Sequence, residues 1–330
     1  MKTKTTPRPR GARPPAVVKA FAPGSVANLG VGFDALGAAI DGPGDTVTAR
    51  LARHEGVRIL SIEGDAGRLP LDPERNTAAV AAREVLAEAR RKGHPARGLD
   101  LVIEKGLPLA SGLGSSAASA VAAAWASALL LGIRDKKALL RPVLVAENAA
   151  DGAWHGDNAF ASLLGGIVLV PSSDPRAALR PVSLPVPSGL RFVLVHPELE
   201  LPTAEARSVL PRAVPLGEQV RQGAAFAALV AALHAADLKT FGQWVSSDRI
   251  VEPARAPLVP GYAAVMRAMR RAGAYGVSLA GAGPTLLAVS EEGARPAAIA
   301  RAAVAAWKAE GIRADARVHR IDVAGARQVA

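Results

Sequence analysis

The sequence predicts an α+β fold in two parts, and three observations support that prediction. Half of the 330 residues are apolar, which is enough to bury a substantial core. Segments with strand-like and helix-like periodicity follow one another without strict alternation, which argues against one doubly wound sheet. A stretch with five prolines, 171–188, divides the chain. We therefore predict a disordered basic tail over 1–16, a first domain over 17–172 and a second over 173–330.

In the first half, strands are predicted where β-branched or alternating apolar residues run between turn signals. They cover 17–21, 45–51, 57–62, 99–104 and 165–170. The first strand should stop at Pro23-Gly24. Helices are predicted over 77–92, 115–131 and 135–150, and an irregular polar turn over 151–158. Asn76 is the predicted N-cap of the first helix and Gly93 its C′ glycine, while Asp135 caps the third helix.

The second half begins with a buried type of strand at 191–195. Helices are predicted over 203–210, 218–235, 261–272 and 296–308. A second glycine-rich turn is expected over 276–283, between the last two of these helices, and strands over 285–289 and 314–322.

Composition excludes several classes of protein. The chain has no cysteine, so disulfides, thiol catalysis and cysteine-ligated metals are excluded. The net charge of +11 suits nucleic acid or small anionic substrates. Because the basic residues are spread along the chain without aromatic partners, we do not expect a nucleic-acid binder. Lys19 and Pro23 interrupt the stretch that follows the basic start, which argues against a secretory signal.

Residues 106–133 carry no charge and could resemble a membrane span. Their first part is rich in glycine, serine and proline, and the helical remainder is short and rich in alanine. We therefore expect a buried core helix in a soluble protein, with no membrane partner.

The most informative stretch is the glycine loop, 108–118, between a predicted strand and the alanine-rich helix. Its glycines let the backbone approach a bulky anion, and the helix offers unpaired first-turn N–H groups and the positive end of its dipole. This combination predicts a phosphate site. The loop is not the Gly-x-x-x-x-Gly-Lys-Ser/Thr type, because no lysine precedes Ser115 and Ser116. It also lacks the third glycine of a dinucleotide fingerprint.

Several polar residues have both a plain and a functional interpretation. Ser115 and Ser116 can cap the helix or, beside a phosphate, ligate magnesium. Glu147 can be a solvated helix charge or the carboxylate that magnesium requires. His155, Asp157 and Asn158 can be turn residues, and a zinc site there is disfavoured because no other histidine lies nearby.

Asn28 and Asp34 can likewise be turn residues, and Asn76 only a cap. Arg207 and Arg255 are surface arginines by default, although arginine is the residue suited to bidentate carboxylate recognition. The residues therefore predict a soluble two-part enzyme that binds a phosphorylated nucleotide with magnesium. They leave the acceptor open.

The glycine loop resembles the second signature of the GHMP kinases, and the resemblance extends over about 17–289. Among these kinases the chain looks most like the homoserine kinases. The other stretches that carry the resemblance are 22–37, 155–166, 201–207, 252–261 and 281–285. The chain departs from the pattern at Ala282, where the family usually has serine, at 109–111, where a basic or glycine-rich triplet is commoner, and in its basic tail.

The resemblance implies a two-domain GHMP kinase fold. The first domain would resemble domain 2 of ribosomal protein S5, and the second a ferredoxin-like α/β sandwich. It implies ATP over the glycine loop with adenine near Asn76, and Mg²⁺ held by Ser116 and Glu147. The nucleotide-binding positions are then Asn76, Pro108, Leu109, Ala110, Ser111, Gly112, Leu113, Gly114, Ser115, Ser116 and Ala117.

For the acceptor, the resemblance implies L-homoserine with its carboxylate on Arg207 and Arg255. The remaining substrate positions are Asn28 and Asp34 at the polar end, His155 and Asn158 near the hydroxyl, and Thr203 and Gly281. The family implies phosphorylation of the homoserine hydroxyl in threonine biosynthesis, in a cytoplasmic homodimer. We expect Asn158, Glu147 and Ser116 to carry catalysis by positioning and charge neutralisation, without a proton acceptor at Asp157.

Two alternatives stay open at this point. Another small-molecule GHMP kinase would act on mevalonate, a sugar or a diphosphocytidyl alcohol, none of which has the amino-acid end that the two arginines would serve. A non-catalytic nucleotide or nucleic-acid binder would explain the high pI, but not the acceptor-side residues.

Overall fold

Two β-sheets organise the protein. The computed structural model describes residues 17–330 except 153 and 155. Within that part of the chain the first sheet has seven strands: β1 (Val17–Ala27), β2 (Leu36–Ala52), β3 (Gly56–Glu63), β4 (Gly98–Glu104), β5 (Ile167–Leu169), β6 (Val182–Leu184) and β11 (Arg327–Val329). The order is β11-β1-β2-β4-β3, with β5 paired to the other end of β2 and β6 to β5. The β3–β4 pair is parallel and the others are antiparallel.

Four helices cover this sheet: α1 (Thr77–Arg91), α2 (Ser115–Leu130), α3 (Leu140–Asp151) and α4 (Gly156–Leu164). Residues 117–130 of α2 are all buried, so α2 is the central helix of the first core. Its many alanines have small side chains, which lets the helix lie close to β1, β2 and α1 at once. A charge-free helix is therefore explained by burial inside the protein.

The second sheet is antiparallel in the order β10-β7-β9-β8. Its strands are β7 (Leu190–Pro197), β8 (Gly276–Leu279), β9 (Leu286–Glu291) and β10 (Ala314–His319). The helices of this half are α5 (Thr203–Ser208), α6 (Leu216–His234), α7 (Leu238–Val245), α8 (Val251–Arg255), α9 (Tyr262–Arg271) and α10 (Arg295–Ala309).

The second sheet has a core on each face. On one face α9 and α10 pack around the fully buried Trp307. On the other face Phe192 and Phe241 share a cluster with Leu29 and Leu113 from the first half. The two halves therefore meet through a common apolar core, and this contact brings the glycine loop to the second sheet.

The two-part α+β prediction is confirmed, and most predicted elements are present. Asn76 caps α1 by accepting a hydrogen bond from the Ala78 N–H at 3.0 Å, and Gly93 follows α1 with φ +86°. Asp135 begins a 3₁₀ turn, Lys136–Leu139, that leads into α3. These are local signals, so they do not depend on distant parts of the chain.

Some element boundaries were wrong. β1 does not stop at Pro23-Gly24 but continues to Ala27, because a bulge between Pro23 and Ser25 accommodates the proline. Only residues 280–285 form the second glycine-rich turn, since 276–279 are the buried strand β8. The predicted turn at 151–158 contains the start of α4 at Gly156.

The proline-rich stretch is not a plain linker, because β6 lies within it and joins the first sheet. The predicted strand 314–322 is shorter as β10, and the later β11 returns to β1. α7 and α8 were not predicted. The division at 172/173 stays a prediction, and the basic tail lies outside the described residues. No helix among those residues combines the length and the apolar character that crossing a bilayer requires.

Candidate active site

A cleft of about 580 Å³ lies between the elements of the two sheets. It brings together most of the residues that the sequence predicted as site residues. Those that line it are Asn28, Asp34, Asn76, Leu109, Ala110, Ser111, Gly112, Gly114, Ser115, Ser116, Glu147, Asn158, Thr203, Arg207, Arg255 and Gly281. Three predicted nucleotide-binding residues do not line it: Leu113 and Ala117 are buried in the core, and Pro108 is exposed. His155 lies outside the described residues.

The glycine loop is held against two other sequence motifs. Gly112 has φ +79°, and a Cβ there would lie 2.3 Å from the carbonyl oxygen of Ala280. The Thr285 hydroxyl donates to the carbonyl of Ser111 at 2.6 Å. The Ser25 N–H donates to the carbonyl of Leu113 at 3.1 Å. The stretches 22–37, 108–118 and 280–285 are far apart in sequence, and these contacts join them into one wall of the cleft.

The N-terminus of α2 opens into the cleft without a side-chain cap. Its N-cap is Gly114, in a left-handed conformation, so the interpretation of Ser115 and Ser116 as the cap is wrong. The Ser115 hydroxyl points to the Leu107 carbonyl at 3.5 Å, and the Ser116 hydroxyl donates to Glu147 Oε2 at 3.3 Å. First-turn N–H groups with no side-chain cap, at the positive end of a buried helix, form an anion site.

A buried ion pair, missed in the sequence, supports this loop from below. Lys105 and Asp45 have side chains that are 1% and 0% exposed, and they bond to each other. The Lys105 ammonium also donates to the Ser115 carbonyl at 2.9 Å and to Ser119 Oγ at 2.8 Å. Asp45 Oδ1 accepts the Gly106 N–H at 3.0 Å. The pair connects β2, the glycine loop and α2. Its only signal in the sequence was the position of Lys105, directly before the charge-free stretch 106–133.

Glu147 is a buried carboxylate on α3, only 6% exposed, so its interpretation as a solvated helix charge is wrong. It faces the Ser116 hydroxyl at the start of α2. A hydroxyl and a carboxylate beside an anion site are the oxygen ligands that Mg²⁺ uses together with phosphate oxygens. The donor atoms of these two residues therefore suit a magnesium ion.

The acceptor side of the cleft is the first turn of α4. Asn158 Oδ1 accepts the Ser25 hydroxyl at 2.9 Å, which fixes the Asn158 amide beside the glycine loop. A Cβ on Gly114 would lie 2.9 Å from the same oxygen. Asp157 is 2% exposed, and its Oδ1 accepts the Asn158 N–H at 2.8 Å. Both residues therefore line the cleft from a short helix.

Asp34 and Arg207, which also line the cleft, form a bidentate ion pair. Arg207 Nη2 donates to Asp34 Oδ1 at 2.9 Å and Nη1 to Oδ2 at 3.2 Å. The Asp34 N–H donates to Asn28 Oδ1 at 3.1 Å, and Asn28 Nδ2 donates to the Gly281 carbonyl at 2.8 Å. Asn28 and Asp34 both have positive φ, so the loop that carries them is tightly turned.

Arg255 is not a surface arginine, because it is only 2% exposed. Its Nε donates to the Ala206 carbonyl at 3.0 Å and Nη1 to the Gly281 carbonyl at 3.1 Å. Burial lowers the pKa of Arg255, and the nearby Arg207 charge lowers it further. The two arginines together form a positively charged corner suited to a carboxylate.

The short helix α8, which carries Arg255, is fixed by contacts at its N-terminal end. Asp248 accepts the Glu252 N–H at 2.7 Å and the Ile250 N–H at 3.0 Å, as an N-terminal cap would. Glu252 bonds to the Tyr262 hydroxyl of α9. Burial raises the pKa of Glu252 to about 7. The sequence placed Glu252 in the 252–261 stretch but gave it no role, and Asp248 was missed because it lies outside every recognised motif.

The amide of Asn76 is occupied at both ends. Its oxygen caps α1, and its nitrogen donates to the Pro70 carbonyl at 3.0 Å. Asn76 nevertheless lines the cleft, so the residue both begins the helix and forms part of the wall. Its placement near adenine stays a prediction.

Comparison with known proteins gives two family matches. The model of the GHMP kinases N terminal domain matches residues 76–166, and that of the GHMP kinases C terminal matches residues 229–309. Homoserine kinase from Chlorobium phaeovibrioides (strain DSM 265 / 1930) is 44% identical over 281 residues, which are 83% of this chain and 87% of the relative. Homoserine kinase from Arabidopsis thaliana is 42% identical over 316 residues, 94% of this chain and 84% of that protein.

A solved structure has the same fold over nearly the whole chain. The crystal structure of homoserine kinase from Cytophaga hutchinsonii ATCC 33406 superposes with a TM-score of 0.90 at 40% identity. The match covers 98% of this chain and 100% of that one.

Proposed function

Because the chain belongs to the homoserine kinase family of the GHMP kinases, we propose that it transfers the γ-phosphoryl group of ATP to the side-chain hydroxyl of L-homoserine. The product is O-phospho-L-homoserine. The observation that carries the proposal is the pairing of two sites in one cleft: an uncapped helix N-terminus behind a glycine loop, and a corner with two arginines across from it.

The nucleotide lies with its phosphates against the glycine loop and the first turn of α2, and with its adenine towards Asn76. Support for this orientation comes from the N–H groups of α2, which have no side-chain cap. Lys105 and Asp45 keep the loop in place beneath the phosphates and are themselves saturated by protein partners.

Ser116 and Glu147 would hold magnesium beside the phosphates, and the ion would supply charge neutralisation for the transferring group. The supporting observation is the approach of the Ser116 hydroxyl to the buried Glu147 carboxylate across α2 and α3. In this role Glu147 orients the ion, and Ser116 gives a second oxygen ligand.

Homoserine lies with its carboxylate in the corner between Arg207 and Arg255. Asp34 then takes the ammonium group, and Asn28 keeps the Asp34 loop in its turned conformation. Thr203, at the start of α5, and the backbone of Gly281 border the same space. His155 belongs to the proposal from its sequence position alone.

The hydroxyl is positioned by Asn158 for in-line attack, and no side chain needs to remove its proton before transfer. Phosphoryl transfer passes through a loose transition state, so positioning and electrostatic stabilisation supply most of the catalysis. Asn158 suits this role because Ser25 holds its amide beside the loop.

A direct test is a coupled assay of ADP release with L-homoserine, ATP and magnesium, with the product identified by mass spectrometry. We expect O-phosphohomoserine from L-homoserine, and little ADP from mevalonate or galactose in the same assay. Turnover of another acceptor above homoserine would favour a different small-molecule kinase. Salt-dependent retention of nucleic acid with no ATP turnover would favour a binding protein.

We also propose that the enzyme is a cytoplasmic homodimer. Helix α6 exposes Leu216 and Val220, which are 78% and 62% exposed, on successive turns of one face. Light scattering after size exclusion should give twice the mass of the chain, and Val220→Glu should shift the protein towards a monomer. A monomer at micromolar concentration would contradict the proposal.

A further inference from the structure

One aromatic ring contacts both arginines of the substrate corner. The Phe33 ring centroid lies 5.4 Å from the guanidinium carbon of Arg207 and 5.2 Å from that of Arg255. Phe33 directly precedes Asp34, the ion-pair partner of Arg207. Phe33 lies within 22–37, one of the stretches that carry the family resemblance.

The Phe33 ring adds to the electrostatic stabilisation of this corner, where the Asp34 carboxylate already forms an ion pair with Arg207. Arg207 and Arg255 repel each other, and Arg255 has lost nearly all contact with water. The face of an aromatic ring attracts a cation through its quadrupole, and this attraction is strongest where water is excluded. A single ring near both groups therefore offsets part of their repulsion, without placing an anion in the space that a substrate carboxylate would occupy.

Phe33 also borders a second cavity, which is separate from the cleft. Besides its contacts with the arginines, Phe33 lines a second cavity of about 340 Å³. That cavity is bounded by apolar groups, among them Val31, Leu210 and Phe226. A smaller side chain at position 33 would enlarge this apolar cavity and would remove the ring that both arginines contact.

From these contacts we propose that Phe33 is a positioning residue for carboxylate recognition: its ring, which borders the apolar cavity, holds Arg207 and Arg255 in one cluster. The inference rests on the proposed function and adds a residue to it. Phe33 touches the arginines and need not touch the substrate, so its removal should affect acceptor binding and leave nucleotide binding unchanged.

The test compares Phe33→Leu with Phe33→Tyr, using L-homoserine and the amino alcohol in which a hydroxymethyl group replaces its carboxylate. Phe33→Leu should raise the KM for homoserine about tenfold, with the KM for ATP unchanged. Its kcat/KM for the amino alcohol should match that of the wild type. Phe33→Tyr keeps the ring and should restore most of the homoserine affinity. Arg255→Ala should show the same dependence on the carboxylate, with a larger rise in KM.

Phe21→Leu is the matched control, because the Phe21 ring also contacts an arginine, Arg327 at 4.5 Å, but outside the cleft. It should leave both KM values unchanged. Phe33→Met provides a second variant of similar volume if Phe33→Leu does not fold. An unchanged homoserine KM in the folded variant would overturn the inference, as would an equal loss with homoserine and the amino alcohol. Wild-type protein that does not phosphorylate homoserine would overturn the proposed function and this inference with it.

Discussion

At the scale of single residues, two buried charged side chains, Glu147 and Arg255, mark the candidate active site. Glu147 and Arg255 are 6% and 2% exposed. Charged side chains are rarely buried unless they have partners, because removing them from water is costly. Arg255 is bonded to two backbone carbonyls, and Glu147 faces Ser116. Burial at the wall of a cleft therefore separates them from the many surface charges of the chain.

Replacement of Glu147 by glutamine removes the negative charge and keeps the shape. We expect kcat to fall by about 10² or more, and the magnesium concentration for half-maximal activity to rise, because the ion loses its anionic ligand. The measurement is a magnesium titration of turnover at saturating ATP and homoserine. Glu84→Gln, on the surface of α1, should titrate like the wild type. A normal titration for Glu147→Gln would reject it as a ligand.

Replacement of Asp157 by asparagine tests whether this carboxylate accepts the proton of the acceptor. We expect kcat to stay within about tenfold of the wild type, because a missing general base usually costs 10²–10⁴ and none is required here. The pH profile of kcat should also keep its shape. A loss of about 10³, together with a lost acidic limb of the profile, would identify Asp157 as the base.

At the scale of the element, the glycine loop depends on close backbone contacts with the turn after β8. Gly112 and Gly132 have the same φ of +79°, but they differ in their surroundings. A Cβ at position 112 would meet backbone oxygens of Ala280 and Gly283, at 2.3 and 2.8 Å. A Cβ at position 132 meets nothing within 4 Å. Comparing an alanine substitution at each position therefore distinguishes the cost of backbone strain, which both share, from the cost of steric conflict, which only position 112 has.

We expect Gly132→Ala to lower the free energy of unfolding by about 1 kcal/mol, the usual cost of a left-handed non-glycine residue. Gly112→Ala should lower it by about 3 kcal/mol or more, because the loop must also move away from the second sheet. Denaturant unfolding of both variants measures the difference, and the KM for ATP should rise only for Gly112→Ala. Equal losses of stability would contradict the packing described here.

Helix α8 should make stability depend on pH through Glu252. Burial raises the pKa of Glu252 from 4.5 to about 7 in the folded protein, and Tyr262, Asp248 and Arg270 face it. Between these two pH values the folded state keeps a proton that the unfolded state has released. The contribution of Glu252 to stability is therefore complete below pH 4.5 and is lost as the pH rises through about 7.

Glu252→Gln should remove this dependence. The free energy of unfolding of the wild type, minus that of the variant, should decline between pH 4.5 and 7 and then become constant. Urea unfolding at several pH values gives both curves. A difference that stays flat across this range, in a variant that folds, would show that Glu252 is ionised in the folded protein.

At the scale of the whole molecule, the charge balance matters for the substrates. The net charge is +11, ATP is strongly anionic, and homoserine is a zwitterion with no net charge. A positively charged surface around a cleft raises the local concentration of anions, and salt screens this attraction over about 10 Å at 0.1 M. A net positive charge is therefore compatible with an anionic nucleotide as substrate.

The kinetic consequence is a difference between the two substrates. Between about 0.02 and 0.3 M potassium chloride, we expect the KM for ATP to rise several-fold and that for homoserine to change less, since homoserine carries no net charge. Steady-state kinetics at fixed magnesium tests this expectation. An equal response of both KM values would mean that the surface charge does not act on the nucleotide.

Much of the fold and the site was predictable from local signals. The cap at Asn76, the glycine after α1 and the buried alanine-rich helix follow from sequence neighbours, and all three are present. The end of β1 and the turn at 276–283 were misjudged, because glycine and proline also occur inside strands when a bulge or a buried sheet accommodates them.

The sequence by itself determined the α+β class, the phosphate-type loop before α2 and the family, because these depend on short patterns and on the order of motifs. Only the tertiary structure decided that Lys105 bonds to Asp45, 60 residues away, and that the Phe33 ring lies near both Arg207 and Arg255. It also showed Arg255 and Glu147 to be buried. Burial and pairing of this kind are set by chain segments that meet only in the folded protein, so no local pattern records them.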